Sequence, residues 1–214
     1  IGVKGIPDHV DIEALAESMG FKILYDVFAE NDKRKIAYLS DGITPLNVIV
    51  AGESSPVVFP FGTIVMDKYL LRKPKGMLNF TIAHEIAHFV LQYHDPIQFE
   101  ADADDEKMSE EEAEEIRHMI EKEADHLAAA ILMPGYLVNE VLDEFNDGES
   151  IPVYGINVFA GEGRDIIKQM ADKLHVSFTA LARRLREFRM LEPHQLCEYT
   201  DTIMIPEAEE ARSV

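Results

Sequence analysis

The sequence has little material for disulfides or for membrane insertion. Among its 214 residues there is one cysteine, Cys197, and there is no tryptophan. A single cysteine excludes an intramolecular disulfide framework, and no apolar run approaches the roughly 20 residues that a membrane-spanning helix needs. We therefore expect a cytoplasmic protein with no membrane partner. Because the sequence opens on Ile1 rather than on methionine, the lack of a signal peptide carries little weight.

Positive charge is also scarce. Twenty Lys and Arg residues face 40 Asp and Glu residues, which gives a net charge of −20 at pH 7. Such a charge opposes the approach of nucleic acid at long range and favours a basic protein partner. The composition is otherwise ordinary, with 47% hydrophobic and 8% aromatic residues, and the length suits one domain with a hydrophobic core of its own.

One motif dominates the middle of the chain. The stretch from Phe80 to Leu91 is largely apolar and has no proline or glycine, which predicts a helix, and it contains His84-Glu85-Ile86-Ala87-His88. Residues four apart project from one helix face, so both imidazoles can bind one zinc ion with Glu85 beside them as the general base. The competing interpretation is a buried amphipathic helix with hydrogen-bonded histidines. Burying these three polar groups without a common partner would be costly.

Zinc needs a third protein ligand, and the sequence offers two routes to it. The first is His94, because the spacing from His84 to His94 fits the longer histidine motif of metzincins. That motif needs glycine where this chain has Leu91, since the chain must turn sharply there. On a continuous helix His94 lies about 600° past His88 and faces well away from it.

The second route starts from a later helix. Ser109-Glu110-Glu111-Glu112 forms a capping box, and it predicts a helix that runs to Met133 and stops at Pro134-Gly135. The residues predicted for its buried face are Ala124, Leu127, Ala128, Ile131 and Leu132.

Two acids flank that buried face one turn apart, Glu121 and Asp125. We predict that Glu121 completes the site of one zinc ion per chain with His84 and His88, and that Asp125 accepts a hydrogen bond from a ligand histidine. Without the histidine pair, either acid would be interpreted as an ordinary solvated side chain. The side chain that stabilises the oxyanion stays open among Tyr93, His118, Tyr136, Tyr154 and His175.

These residues resemble the ImmA/IrrE family of zinc metallopeptidases. The first matching stretch is the histidine motif preceded by Phe80-Thr81, and the second and more specific one runs from Glu121 to Pro134. A weaker similarity extends from near Asp11 to near Leu191. The resemblance implies a zincin-like fold in which His84, His88 and Glu121 bind zinc and Glu85 is the general base.

The resemblance also implies a substrate class. Members of the family resemble peptidases that cut a helix-turn-helix repressor and thereby relieve repression of mobile-element, prophage or stress genes. The repressor is often encoded by an adjacent gene. The implied partner is therefore a DNA-binding repressor. Two alternatives stay open. One is a metal-containing transcriptional regulator, and the other is a partner that only sequesters the repressor.

The fold class follows from the remaining elements. Asp11 is predicted to cap a short helix that ends at Gly20, and strands are predicted at 21–28, 35–39, 46–50 and 63–67. We expect an α+β, zincin-like fold with a small mixed or antiparallel sheet, an active-site helix, a glutamate-bearing helix and a C-terminal helical part. Strand 63–67 is predicted to be the edge strand that pairs with substrate backbone, an internal strand being the alternative.

The predicted domains are a metallopeptidase domain at 1–150, a helix-turn-helix-like subdomain packed on it at 151–191, and a tail at 192–214. In the second of these, helices predicted at 164–174 and 178–189 flank a tight turn at His175-Val176-Ser177. Seven basic and three acidic residues between 164 and 190 give a local charge of +4. Arginines on the second helix could touch phosphates, but the net charge of the chain favours packing without direct nucleic-acid binding. These arginines are Arg183, Arg184, Arg186 and Arg189.

Negative charge is concentrated in one segment, with ten acidic residues between Glu100 and Glu115. A calcium-binding loop is excluded there, because Lys107 stands where an EF-hand needs glycine. The segment is interpreted as a solvated loop, and a role as a lid or in selecting basic substrates is the alternative.

Overall fold

A computed structural model of the chain describes residues 7–29, 35–94 and 109–203. Most of the acidic segment 100–115 and the end of the predicted tail lie outside these ranges. The described residues form seven α-helices and three small sheets. This arrangement confirms the predicted α+β fold class.

The chain enters the fold through a short helix, α1 (Ile12–Ser18). As predicted, Asp11 caps it, because its carboxylate accepts a hydrogen bond from the Ala14 backbone N–H at 3.1 Å. Gly20 follows with φ of +89°, a conformation that glycine adopts without strain. Five strands come next, namely β1 (Lys22–Asp26), β2 (Ala37–Leu39), β3 (Leu46–Val50), β4 (Glu53–Val57) and β5 (Thr63–Asp67).

The sheet beside the helices has the strand order β1-β5-β2. β1 runs parallel to β5, with Ile23 opposite Ile64, and β2 runs antiparallel to it, with Tyr38 opposite Val65. The prediction that strand 63–67 is the edge strand is therefore wrong, since it is central. Its residues from Thr63 to Met66 are all buried, as expected for a strand that is covered on both faces. β1 and β2 are the two edge strands of this sheet among the described residues.

β3 and β4 form a separate antiparallel hairpin, and an isolated bridge between Phe28 and Val48 joins it to the chain that follows β1. Leu46 and Val48 of this hairpin form a small second core with Phe28, Phe59 and Val65. Because Val65 lies on β5, this core attaches the hairpin to the central strand.

The active-site helix, α2 (Lys75–His94), packs against α3 (Glu110–Leu132) more extensively than any other pair of described helices. The capping box is confirmed, since the Glu112 N–H donates to the Ser109 hydroxyl at 3.2 Å and the Ser109 N–H donates to the Glu112 carboxylate at 2.9 Å. α2 stays helical through His94, so the sharp turn that the His94 route requires does not occur.

The C-terminal part begins with α4 (Gly135–Asn146), which the sequence analysis missed. Pro134-Gly135 was interpreted only as the end of α3, whereas Pro134 is also the N-cap of this next helix. The remaining elements are β6 (Ile151–Tyr154), α5 (Gly161–Lys173), α6 (Phe178–Glu187), β7 (Leu191–His194) and α7 (Leu196–Ile203). β6 pairs in parallel with β7, so residues on both sides of the predicted boundary at 191 share one sheet.

No helix within the described ranges combines the length and the apolar character needed to cross a membrane.

Candidate metal and catalytic site

A cleft of about 590 Å³ separates β2 from α2 and α3. One wall consists of residues 35–41, which include all of β2, and the opposite wall carries the residues of the histidine motif and the acids of α3. The aromatic rings of Phe61, Phe80 and Phe89 surround these polar groups. All five residues predicted for the site, namely His84, Glu85, His88, Glu121 and Asp125, line this one cleft.

The Nε2 atoms of His84 and His88 face each other. These two atoms lie 2.9 Å apart, and each side chain is about 19% exposed. The pair has this geometry because the two residues are one helical turn apart on α2. Burial and the neighbouring His84 lower the pKa of His88. Neutral imidazole is the form that binds a metal.

Glu121 brings a carboxylate from α3 to the histidine pair. Its Oε2 lies 3.2 Å from Nε2 of His84, and its Oε1 lies 3.5 Å from Nε2 of His88. A zinc ion with tetrahedral bonds of about 2.0–2.1 Å holds its donor atoms about 3.3 Å apart. The two nitrogens and the carboxylate therefore have the composition and spacing of a three-ligand zinc site. They form the one cluster of this kind among the residues that the structure describes.

Asp125 lies one turn further along α3 and contacts the other side of His84. Its Oδ1 is 3.1 Å from Nδ1 of His84. An ionised carboxylate only accepts hydrogen bonds, so this contact places the ring proton on Nδ1 and leaves the Nε2 lone pair for a metal. Asp125 also fixes the orientation of the ring.

Glu85 lies beside the histidine pair and is partly buried. Burial raises the pKa of its carboxyl to about 7, against the lowering effect of His84 and of a hydrogen bond from the Leu39 backbone N–H, and Glu121 raises it further. Glu85 is absent from the cluster that could hold a metal, so its carboxylate stays available for proton transfer.

The hydrogen bond to Glu85 follows from the pairing of β2. The Ser40 N–H donates to the Thr63 carbonyl at 2.9 Å, and the Asp67 N–H donates to the Ile36 carbonyl at 2.9 Å. In an antiparallel pair the bonded positions alternate, so the backbone groups of Ala37 and Leu39 point away from β5 and towards α2. The open edge of the sheet therefore lies along the cleft.

The residues that β2 and its flanking segments contribute to the cleft were not predicted from the sequence. Lys35 and Tyr38 line it, and the Tyr38 hydroxyl donates to the Thr44 carbonyl at 3.1 Å. Only the strand order shows this, because strand 35–39 carries no catalytic motif. Of the oxyanion candidates, His118, Tyr136, Tyr154 and His175 are not among the lining residues, and the side chain of Tyr93 lies outside what is described.

A comparison with protein families adds a decisive observation. Residues 71–186, more than half of the chain, match the IrrE N-terminal-like domain of the peptidase M78 family. The chain belongs to this family of metallopeptidases. The matched region runs from the turn before α2 to α6, so it contains both helices that build the site. No curated protein matches the sequence closely enough to count as a relative.

Family membership and the cleft agree on a metallopeptidase with a possible site at His84, His88 and Glu121. The individual roles of these residues, and those of Glu85 and Asp125, stay predictions.

Proposed function

We propose that this protein is a zinc-dependent endopeptidase that cleaves a helix-turn-helix transcriptional repressor in the cytoplasm. The observation that carries the zinc-peptidase part is the convergence of His84, His88 and Glu121 beside Glu85 in a cleft that borders an open sheet edge. The identity of the substrate rests on the family resemblance and on the charge of the chain.

In the proposed mechanism His84, His88 and Glu121 hold one zinc ion. When bound, zinc polarises the substrate carbonyl and makes a neighbouring water more acidic. Glu85 takes a proton from the attacking water as the new carbon–oxygen bond forms, and it gives that proton to the departing nitrogen as the carbon–nitrogen bond breaks. Asp125 holds the His84 ring through its Nδ1 proton.

The substrate backbone is proposed to lie along β2. An extended peptide that adds to a sheet edge satisfies backbone groups that have no strand partner. Ala37 and Leu39 present such groups to the cleft, and the Leu39 N–H already reaches Glu85. This position, rather than strand 63–67, places a peptide bond between the sheet and the predicted metal ligands.

The charge of the chain favours a basic protein over DNA as its binding partner. The net charge of −20 attracts a DNA-binding protein and repels the DNA itself. Two arginines of the helix-turn-helix-like segment also serve the fold. Arg184 donates to the Met133 carbonyl at 3.0 Å, and Arg186 donates to the Ile156 carbonyl and to Asn157.

The test is incubation of the zinc-loaded protein with the repressor encoded beside it. Discrete fragments should form, and both a chelator and the substitution Glu85→Gln should abolish them. If the repressor stays intact while this protein alone retards operator DNA, and Arg183→Ala and Arg186→Ala remove the shift, a regulator replaces the peptidase. An intact repressor in a stable complex with this protein would indicate sequestration.

A further inference from the structure

A second, smaller cavity of about 180 Å³ adjoins the catalytic cleft. It is a groove between α3 and α6, and it shares Phe80 and Asp125 with the cleft. A polypeptide bound across the predicted metal ligands can therefore place one of its side chains in this groove, which we name the α3–α6 groove. The match to the peptidase family covers all of its lining residues except Glu187, but no role follows from that match.

Some of the charged groups that line the α3–α6 groove have a partner within the described residues, and one does not. Asp125 is bonded to His84 at 3.1 Å, and Glu187 is bonded to Arg184 at 2.8 Å. Arg183 is exposed, lines the groove, and forms no hydrogen bond or ion pair with any described residue. Each acid thus has a donor among the described residues, whereas the Arg183 guanidinium has no such partner and can meet a ligand.

The arrangement favours a carboxylate over a phosphate backbone as that ligand. A nucleic acid would need several cations in a row, whereas here one arginine without a partner among the described residues adjoins a cleft lined by Glu85, Glu121 and Asp125. A carboxylate side chain is small enough for the groove, and it matches the fork of donors on a guanidinium.

We propose that the α3–α6 groove is a specificity subsite in which Arg183 binds an Asp or Glu side chain of the substrate, a few residues from the bond that is cut. The proposal rests on the proposed peptidase function and deepens it. It predicts that this acidic enzyme selects a local acidic residue within a substrate that is basic overall.

The test uses peptide hydroxamates, which chelate a bound metal and need no catalysis. Matched peptides carry Glu, Gln or Lys at each position near the hydroxamate, and calorimetry gives their affinity for the zinc-loaded full chain. At one position Glu should bind about threefold to fivefold more tightly than Gln, the range expected for a partly exposed charge pair. Lys at that position should bind more weakly than Gln.

Variants assign the preference to one side chain. Arg183→Ala should remove the difference between Glu and Gln, and Arg183→Glu should reverse it so that Lys binds best. Arg164→Ala is the matched control, because Arg164 is also exposed but lines neither cavity, and it should keep the preference of the parent chain. Circular dichroism and metal content verify that each variant is folded and loaded.

The outcomes separate this proposal from the proposed function. Hydroxamates that bind without any preference for Glu overturn the subsite alone, as does a preference that survives Arg183→Ala. A preference that depends on Arg183, together with an uncut repressor, supports the subsite and rejects the repressor as substrate. If no hydroxamate binds the zinc-loaded chain, both proposals fail.

Discussion

The sequences of α2 and α6 both suggest a function, but the polar side chains of the two helices make different kinds of contact. On α2, His84 and His88 turn towards each other and towards acids of another helix inside a cleft. On α6, Arg184 and Arg186 contact the backbone of the protein itself. The spacing along a helix sets the direction of a side chain, whereas a neighbouring element decides what that side chain meets.

The contacts of Arg184 on α6 are structural. The guanidinium of Arg184 bonds the carbonyl at the end of α3, and it lies 4.2 Å from the centre of the Phe188 ring. The turn before α6 also meets α2, since Asn79 donates to the His175 carbonyl at 3.1 Å. The helix-turn-helix-like segment therefore supports α2, which carries the predicted metal ligands His84 and His88.

The largest expected effect comes from removing the predicted ligand on α3. Glu121→Ala should lower zinc affinity by more than the roughly 10- to 100-fold that loss of a supporting hydrogen bond costs, and should abolish peptidase activity. Metal analysis after dialysis measures this. Glu123→Ala, which removes an exposed acid that is absent from the cluster, is the matched control.

Two further variants sharpen that result. Asp125→Asn should give an intermediate loss of zinc affinity, about 10- to 100-fold, because only the orientation of His84 is affected. His94→Ala should retain zinc. Retention by Glu121→Ala together with loss in His94→Ala would reverse the choice of third ligand.

The second effect separates catalysis from metal binding. Glu85→Gln should keep zinc but lower the rate of peptide cleavage by about 10²- to 10⁴-fold, since the amide cannot carry the proton. Paired measurements of metal content and turnover on one preparation test this expectation. Cleavage by the variant at the parent rate would remove Glu85 from the role of base.

A smaller effect tests the structural role of the turn before α6. A Cβ at Gly76 on α2 would lie 2.5 Å from the Val176 carbonyl carbon and 2.7 Å from the Ser177 nitrogen. Gly76→Ala should lower the free energy of unfolding by about 1–3 kcal/mol, because the backbone at Val176 and Ser177 must move to admit the new Cβ. Gly161→Ala is the control, since nothing lies within 4 Å of its Cβ position. Equal stability of the two variants in urea would contradict the packing of this turn on α2.

The smallest effect is a dependence of stability on pH. Burial lowers the pKa of His175 from its ordinary value of 6.5, and His9, whose ring centre lies 3.9 Å away, and Lys75 lower it further. The unfolded chain therefore binds this proton more readily, so the contribution of His175 to stability is present above pH 6.5 and is lost as the pH falls below it.

His175→Asn should flatten this dependence, because an amide side chain does not titrate in this range. Asparagine also tolerates the φ of +54° at this position. Unfolding free energies measured between pH 5 and pH 8 test this, and His9→Gln should produce part of the same flattening. A slope unchanged by both variants would exclude His175 as its source.

Local patterns predicted individual elements well. The capping residues Asp11 and Ser109 were identified from sequence, because a cap depends on atoms within a few residues. The failures came where a local pattern had two meanings. Pro134-Gly135 ends α3 and also begins α4, and the apolar run of β5 was assigned to an edge although it lies between two strands.

The sequence by itself determined which atoms of α2 share a face, because the helical repeat places His84 and His88 one turn apart with Glu85 beside them. It also narrowed the third ligand to two residues. Only the tertiary structure decided which other groups meet them, since contacts between distant segments depend on packing. The packing of α3 on α2 brings Glu121 and Asp125 to the histidines, and the place of β2 at the sheet edge brings the Leu39 N–H to Glu85. Arg183 lies beside the groove with no partner in the part of the chain that the structure describes, because α6 packs against the end of α3 through Arg184.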